Sequence, residues 1–188
     1  MRANLVAAAL ALAVPLSAHA QPVSEATGPD TYLRVHLGAY VPASNALDLS
    51  TGYTFGAVFG ARFTQIVAVE CGVAYEHARS NGTGGATLSD VPISVSVAAR
   101  LPLKKAELAL YAGPDLHLVS VRTGSGLARQ SSSDTAFGGH GGLRAGFNVW
   151  PTTLVGLDAR ASFARASFGS GHADINSVRI AVTLEYRF

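Results

Sequence analysis

The chain has 188 residues, of which 14% are charged and 48% hydrophobic, with 20 glycines and a formal net charge of +2. That length implies one domain. Isolated arginines and only two lysines, Lys104 and Lys105, exclude a dedicated nucleic-acid binder, and the apolar content excludes intrinsic disorder. The single cysteine, Cys71, excludes an intrachain disulfide and a cysteine-built metal site.

The first element is not part of the fold. Arg2 supplies a basic start, Leu5 to Leu16 an apolar run, and Ala18-His19-Ala20 a small-x-small cleavage site. This is the pattern of a secretory signal peptide, residues 1–20, cut after Ala20. The run is shorter than the ~20 apolar residues a spanning helix needs. Residues 21–30 are read as a short N-terminal periplasmic segment and residues 31–188 as the folded domain.

From there the chain alternates with period 2, the signature of strands. Leu33, Val35, Leu37, Ala39 and Val41 oppose Arg34, His36, Gly38 and Tyr40. The apolar face of 53–63 is Tyr53, Phe55, Ala57, Phe59, Ala61 and Phe63, against Gly56, Gly60 and Arg62. Val67, Val69, Cys71, Val73 and Tyr75 oppose Glu70 and Glu76, and Val91, Ile93, Val95, Val97, Ala99 and Leu101 oppose Ser94, Ser96 and Arg100. Leu108, Leu110, Ala112, Leu116 and Leu118 oppose Tyr111, Asp115 and His117. Phe137, Leu143, Ala145, Phe147 and Val149 oppose His140 and Arg144. Val155, Leu157, Ala159, Ala161 and Phe163 oppose Asp158 and Arg160. Last, Val178, Ile180, Val182, Leu184, Tyr186 and Phe188 oppose Arg179, Thr183, Glu185 and Arg187. Helical packing would scatter apolar residues spaced two apart.

Eight strands result. Several reach the ~9–11 residues of a membrane-spanning strand, and Pro114 predicts a bulge or local irregularity in the fifth. Residues 42–52, 79–90, 120–135 and 164–176 are read as long loops, whereas 64–65, 102–106 and 150–153 are short turns. Long loops alternating with short turns match an antiparallel up-and-down transmembrane β-barrel with long extracellular and short periplasmic connections.

Charge sets the polarity. A lipid-facing Arg near mid-membrane costs about 2–4 kcal/mol, so the charged face must line the lumen. The expected lumen network is Arg34, Arg62, Glu70, Arg100, Asp115, His117, Arg144, Asp158, Arg160, Arg179 and Glu185. Eight strands leave room for side chains and little else, and buried charges need partners, so a plugged barrel is expected. A soluble barrel would carry the reverse polarity. Tyr53, Phe55, Tyr75, Phe137 and Phe163 lie toward the outer end, and Phe63, Phe147, Trp150, Tyr186 and Phe188 toward the periplasmic end, as aromatic belts do.

The last strand ends on Phe188, with Tyr186, Leu184 and Val182 at alternate positions before it. This tail resembles the assembly signal of Gram-negative outer-membrane barrels. With the signal peptide and the eight strands, the mature chain resembles the small eight-stranded families: OmpX, the OmpA membrane domain, neisserial opacity-type proteins and the broad outer-membrane β-barrel domain group. The resemblance implies insertion by the barrel-assembly machinery and a cell outer membrane location among lipid and lipopolysaccharide. It admits adhesins, structural anchors and small-molecule conduits. No peptidoglycan-binding segment is expected after Phe188.

Enzymatic motifs fit poorly. Glu76-His77-Ala78-Arg79-Ser80 resembles the lipid A deacylases, but that family spaces its His and Ser two residues apart on one face, and His77 and Ser80 are three apart. Gly138-Gly139-His140-Gly141-Gly142 resembles an esterase oxyanion loop without the G-x-S-x-G elbow such enzymes need. His36, His117 and His140 share the lumen side near Asp115 with no ligand spacing, so neither metal nor cofactor is expected. The sequence thus implies a non-enzymatic barrel with a structural or surface-interaction role. Its loops would contact a surface ligand or a host or neighbouring cell. A small-solute conduit is the alternative, a lipid A-modifying enzyme the third reading.

Overall fold

Alternation fixes which way each side chain points, and in the computed structural model it folds the chain into a closed antiparallel barrel. The structure describes residues 30–43, 49–80, 85–124, 130–168 and 171–188, so the signal peptide and its cleavage residues Ala18 and Ala20 lie outside the described residues. Strands β1 (Asp30–Pro42), β2 (Gly52–Arg62), β3 (Val67–Arg79), β4 (Thr87–Pro102), β5 (Ala106–Thr123), β6 (Gln130–Trp150) and β7 (Thr153–Phe168) pair each with the next. Strands β8 (Gly171–Asp174) and β9 (Ser177–Arg187) follow, and β9 closes the ring by pairing with both β7 and β1. Strands β8 and β9 keep one register against β7 across Ile175–Asn176, so nine segments make eight staves. Among the described residues no helix is long and apolar enough to cross a membrane.

One row of paired residues runs Leu154, Glu185, Arg34, Val58, Gly72, Ser94, Asp115, Gly138 and back to β7 at Ala164. One circuit therefore climbs ten residues, from Leu154 to Ala164. With ordinary strand spacing and rise, this shear tilts the strands by about 41° and gives a backbone radius of about 8 Å. Each residue then climbs about 2.5 Å along the barrel axis. The outward row Leu108, Leu110, Ala112, Pro114, Leu116, Leu118 of β5 spans ten such steps, a height of about 25 Å, which is the apolar band of a membrane barrel. Val91 to Leu101 on β4, Tyr53 to Phe63 on β2 and onward, and Val178 to Phe188 on β9 and onward cover the same height. The outward aromatic residues Tyr53, Phe137 and Phe163 mark its upper edge, and Phe63, Phe147, Trp150 and Phe188 its lower edge; all are exposed.

Above the upper edge the polarity inverts. The inward residues become Leu88, Val119, Val121, Ala136, Ala164, Ala166 and Ile175, which form an apolar cluster with Tyr40 and Ala78. The outward ones become Ser89, Ser120, Arg122, Ser131, Ser133, Thr135 and Arg165. Water faces the wall there, so the wall is patterned like a soluble protein. This inversion corrects the sequence reading of the loops. Residues 120–123, 130–135, 164–168 and 171–174 are strand, because alternation continues with small and polar residues on the outside. Likewise β4 begins at Thr87, inside the segment 79–90.

Pro114 brings the expected local irregularity but no bulge: the Val95–Pro114 and Ser96–Gly113 pairs are missing from the β4–β5 ladder. Ser94 opposes Asp115 below it in the chain and Val97 opposes Ala112 above it, in one register, and Pro114 itself pairs with Gly139. The register is the same on both sides, the exposed ring lies on the outer face, and its missing donor interrupts the ladder. A register shift occurs instead at Asn148/Trp150, beside the turn into β7.

Candidate functional site

Period 2 delivers the charged residues to the interior, and two glycines make room for the largest of them. Tyr32 faces Gly60 across β1 and β2, and Tyr111 faces Gly142 across β5 and β6. A β-carbon at either glycine would collide with the tyrosine ring opposite. Each ring thus lies flat over bare backbone and points its hydroxyl into the lumen, as strand glycines allow.

The lower lumen is a lattice of five arginines on three glutamates. Arg34 grips Glu70 with both nitrogens, Nη2 to Oε2 at 2.6 Å and Nη1 to Oε1 at 3.1 Å. Tyr32 and Arg144 donate to the same Oε1 at 2.6 and 2.8 Å. Arg100 bridges Glu107, through Nε at 2.6 Å, and Glu185, through Nη2 at 2.6 Å. Its guanidinium also lies 4.4 Å from the centre of the Tyr32 ring. Arg62 and Arg187 close the bottom on Glu107 Oε2 at 3.2 and 3.1 Å.

The upper lumen reverses the balance. Arg179 donates to Asp158 at 3.0 Å, and Tyr111 donates to the same carboxylate. Arg160 donates to Asp115 at 2.6 Å. His117 Nδ1 lies 2.6 Å from Asp90, with Nε2 3.6 Å from Asp115; His140 Nε2 lies 2.8 Å from Ser96 and its Nδ1 2.9 Å from Asp115. His36 Nε2 accepts from Arg179 at 3.2 Å. Two arginines here serve four carboxylates, Glu76, Asp90, Asp115 and Asp158, with Glu76 4.0 Å from Arg179. Burying so many charges is tolerable only because they are cross-linked in this way.

The structure places every residue of the predicted lumen network on the inner wall; Arg62 is part-exposed at the bottom and the rest are buried. Sequence reasoning passed over Glu76, Asp90, Glu107 and Arg187 as network members, and Tyr32 and Tyr111 as donors. Strand parity alone would have found all six. Among the described residues no group of three or more His, Cys, Asp or Glu is arranged to hold a metal. Val182, Leu184, Tyr186 and Phe188 all point outward and are exposed. Cys71 is exposed on the same outer wall.

A second polar group sits on the outer wall at the upper edge. His77 is paired across strands with Ser89, and their Nδ1 and Oγ are 3.1 Å apart. The Tyr75 hydroxyl lies 3.3 Å from Ser89 Oγ and 3.4 Å from His77 Nδ1. Arg79 donates from Nε to His77 Nε2 at 3.3 Å. Arginine has no acceptor, so in that contact Nε2 accepts. Sequence spacing could not reveal the Ser–His contact, because β3 and β4 bring together residues twelve apart.

A family model described as "Outer membrane protein beta-barrel domain" matches residues 6–188. Among solved structures the chain is similar to OprG of Pseudomonas aeruginosa, with 13% identity, a TM-score of 0.62, and coverage of 86% of this chain and 96% of that one. It is similar to neisserial surface protein A, with 13% identity, a TM-score of 0.59, and coverage of 84% and 97%. It also resembles Ail of Yersinia pestis in complex with the heparin analogue sucrose octasulfate, with 13% identity, a TM-score of 0.57, and coverage of 86% and 99%. No curated protein matches by sequence.

Proposed function

The chain belongs to the outer-membrane protein β-barrel domain family and resides in the cell outer membrane, and from that premise we propose that it acts at the cell surface, as a plugged barrel that holds an extracellular protrusion out to a ligand. The observation that carries this reading is the inverted upper wall. Strands β5 and β6 run on past the apolar band, and their inward residues close over the lumen as an apolar core. Strands that continue above the membrane suit recognition, since binding residues concentrate on the connections that a scaffold carries.

The lumen supports the same reading. Cross-linked arginines and carboxylates occupy it below, and the apolar cluster lies across it above, which favours a plugged barrel over a conduit. Ail, of similar fold, has been seen with a sulfated saccharide, and sulfated saccharides are the first ligands to try here. The barrel-assembly machinery is the partner proposed for insertion, through the tail ending at Phe188.

The test replaces residues 120–133, the tip of the β5–β6 hairpin, with a two-residue turn. The shortened barrel should fold, and cells displaying it should lose retention on an immobilised ligand panel that includes sulfated saccharides, while wild-type cells are retained. Purified wild-type protein in planar bilayers should give no stable single channels. Stable conductance would replace this reading with the conduit, and a changed lipid A mass spectrum in expressing cells would replace it with the enzyme.

A further inference from the structure

The polar group on the outer wall is separate from the lumen. It lies where lipid gives way to water. Arg79 of β3, Thr87 of β4 and Arg122 of β5 are neighbours in one outward row. Two strand spacings separate the arginines, about 10 Å at their Cα atoms. Directly beneath runs a row of hydrogen-bonding side chains: His77, Ser89, Ser120 and Ser133. Beneath that lie Phe55, Tyr75, Val91 and Leu118 at the top of the apolar band.

Charge pairing singles out these two arginines among the described residues. Arg165, elsewhere on the upper outer wall, is held by Asp174 at 3.0 Å, and each lumen arginine has a carboxylate. Arg122 has no ion pair among the described residues, and Arg79 contacts only His77 through its side chain there. The contact uses Arg79 Nε, and among the described residues no side chain meets its two terminal nitrogens. His77 is fixed in turn by Ser89 and stacks on Tyr75, with ring centres 6.1 Å apart. Paired fork donors of this kind fit a phosphate.

We infer that the β3–β5 outer wall binds the phosphorylated saccharide headgroup of an outer-leaflet glycolipid, with Arg79 and Arg122 on its phosphates. The hydroxyl row beneath would meet the sugar, and the apolar row below it the acyl chains. This goes beyond the surface-ligand role, since the ligand is a membrane lipid held at the barrel wall. Arg122 stands on the part of β5 that the hairpin replacement would remove, so this site is tested by side-chain substitution in the intact barrel. Lipopolysaccharide, whose lipid A moiety is a phosphorylated disaccharide, has this chemistry.

Native mass spectrometry of the mature barrel in detergent provides the test, with bisphosphorylated lipid A and the same lipid dephosphorylated as probes. Wild type should retain the phosphorylated lipid. The Arg79→Gln/Arg122→Gln double variant should bind it about tenfold more weakly or worse, the loss of charge-assisted contacts. Arg165→Gln should bind like wild type, and the dephosphorylated lipid should bind wild type as weakly as the phosphorylated lipid binds the double variant. Equal binding by the double variant, or by the dephosphorylated lipid, overturns the inference. So does displacement of the lipid by an equal concentration of inorganic phosphate, which would mark a site for the free ion. Fatty acid released by wild type but not by Ser89→Ala would overturn the assignment of a binding site without chemistry. Should the double variant fail to fold, the comparison of the two lipids on wild type decides alone.

Discussion

Glu70 offers the sharpest test of the lumen lattice. Its two oxygens take four hydrogen bonds, from Tyr32, Arg144 and both terminal nitrogens of Arg34. Glu70→Gln keeps the volume, so no cavity term enters. It removes the charge and turns a donor toward donors. Breaking one side of a buried ion pair costs about 3–5 kcal/mol, because the other charge stays behind unpaired. Here two arginines stay behind, in a half of the lumen where five arginines already share three glutamates. The variant should therefore unfold with a free energy lower by about 3–5 kcal/mol. Urea unfolding in lipid vesicles measures it, with the fluorescence of Trp150, the sole tryptophan and exposed at the lower edge, as the signal. The midpoint should fall while the slope holds. Arg144→Met should cost less, since Glu70 keeps Tyr32 and Arg34. The double variant should be more stable than the sum of the singles implies, by about 1–3 kcal/mol. A Glu70→Gln cost under ~1 kcal/mol, or strict additivity, would refute the idea that these charges cross-link the wall.

The remaining predictions test the wall itself. On β5, Ala112 and Ser120 both point outward, one near mid-band and one above it; Ala112→Arg should cost about 2–4 kcal/mol and Ser120→Arg no more than ~1 in the same unfolding assay. On β6, Gly142→Ala drives a methyl into the Tyr111 ring, whereas at Gly139 the nearest atom is 3.5 Å away; the first should cost about 1–3 kcal/mol and the second under ~0.5, by thermal or urea midpoint. Closed hydrogen bonding leaves no edge for SDS to open, so unboiled protein should migrate apart from boiled protein on a gel. Identical migration would argue against a closed barrel.

Much of this molecule is local and was legible in the chain. A strand's side chains alternate whatever it pairs with, so parity alone assigns Arg34, Glu70, Arg100 and Asp158 to one face and Leu37, Val73 and Val182 to the other. The cost of charge in hydrocarbon then decides which face meets lipid. Closure into eight strands followed from the same count. What parity cannot supply is registration between strands. The ten-residue shear, the seating of Tyr32 and Tyr111 on Gly60 and Gly142, and the choice of Glu70 as the partner of both Arg34 and Arg144 arise from pairings between distant residues. So does the contact of His77 with Ser89 in place of Ser80. The upper strands look like loops in the sequence for a related reason. Composition reports the solvent a segment meets, and only the assembled barrel, by fixing where the 25 Å band ends, decides that Ser120, Ser131 and Ser133 are the wet face of a strand.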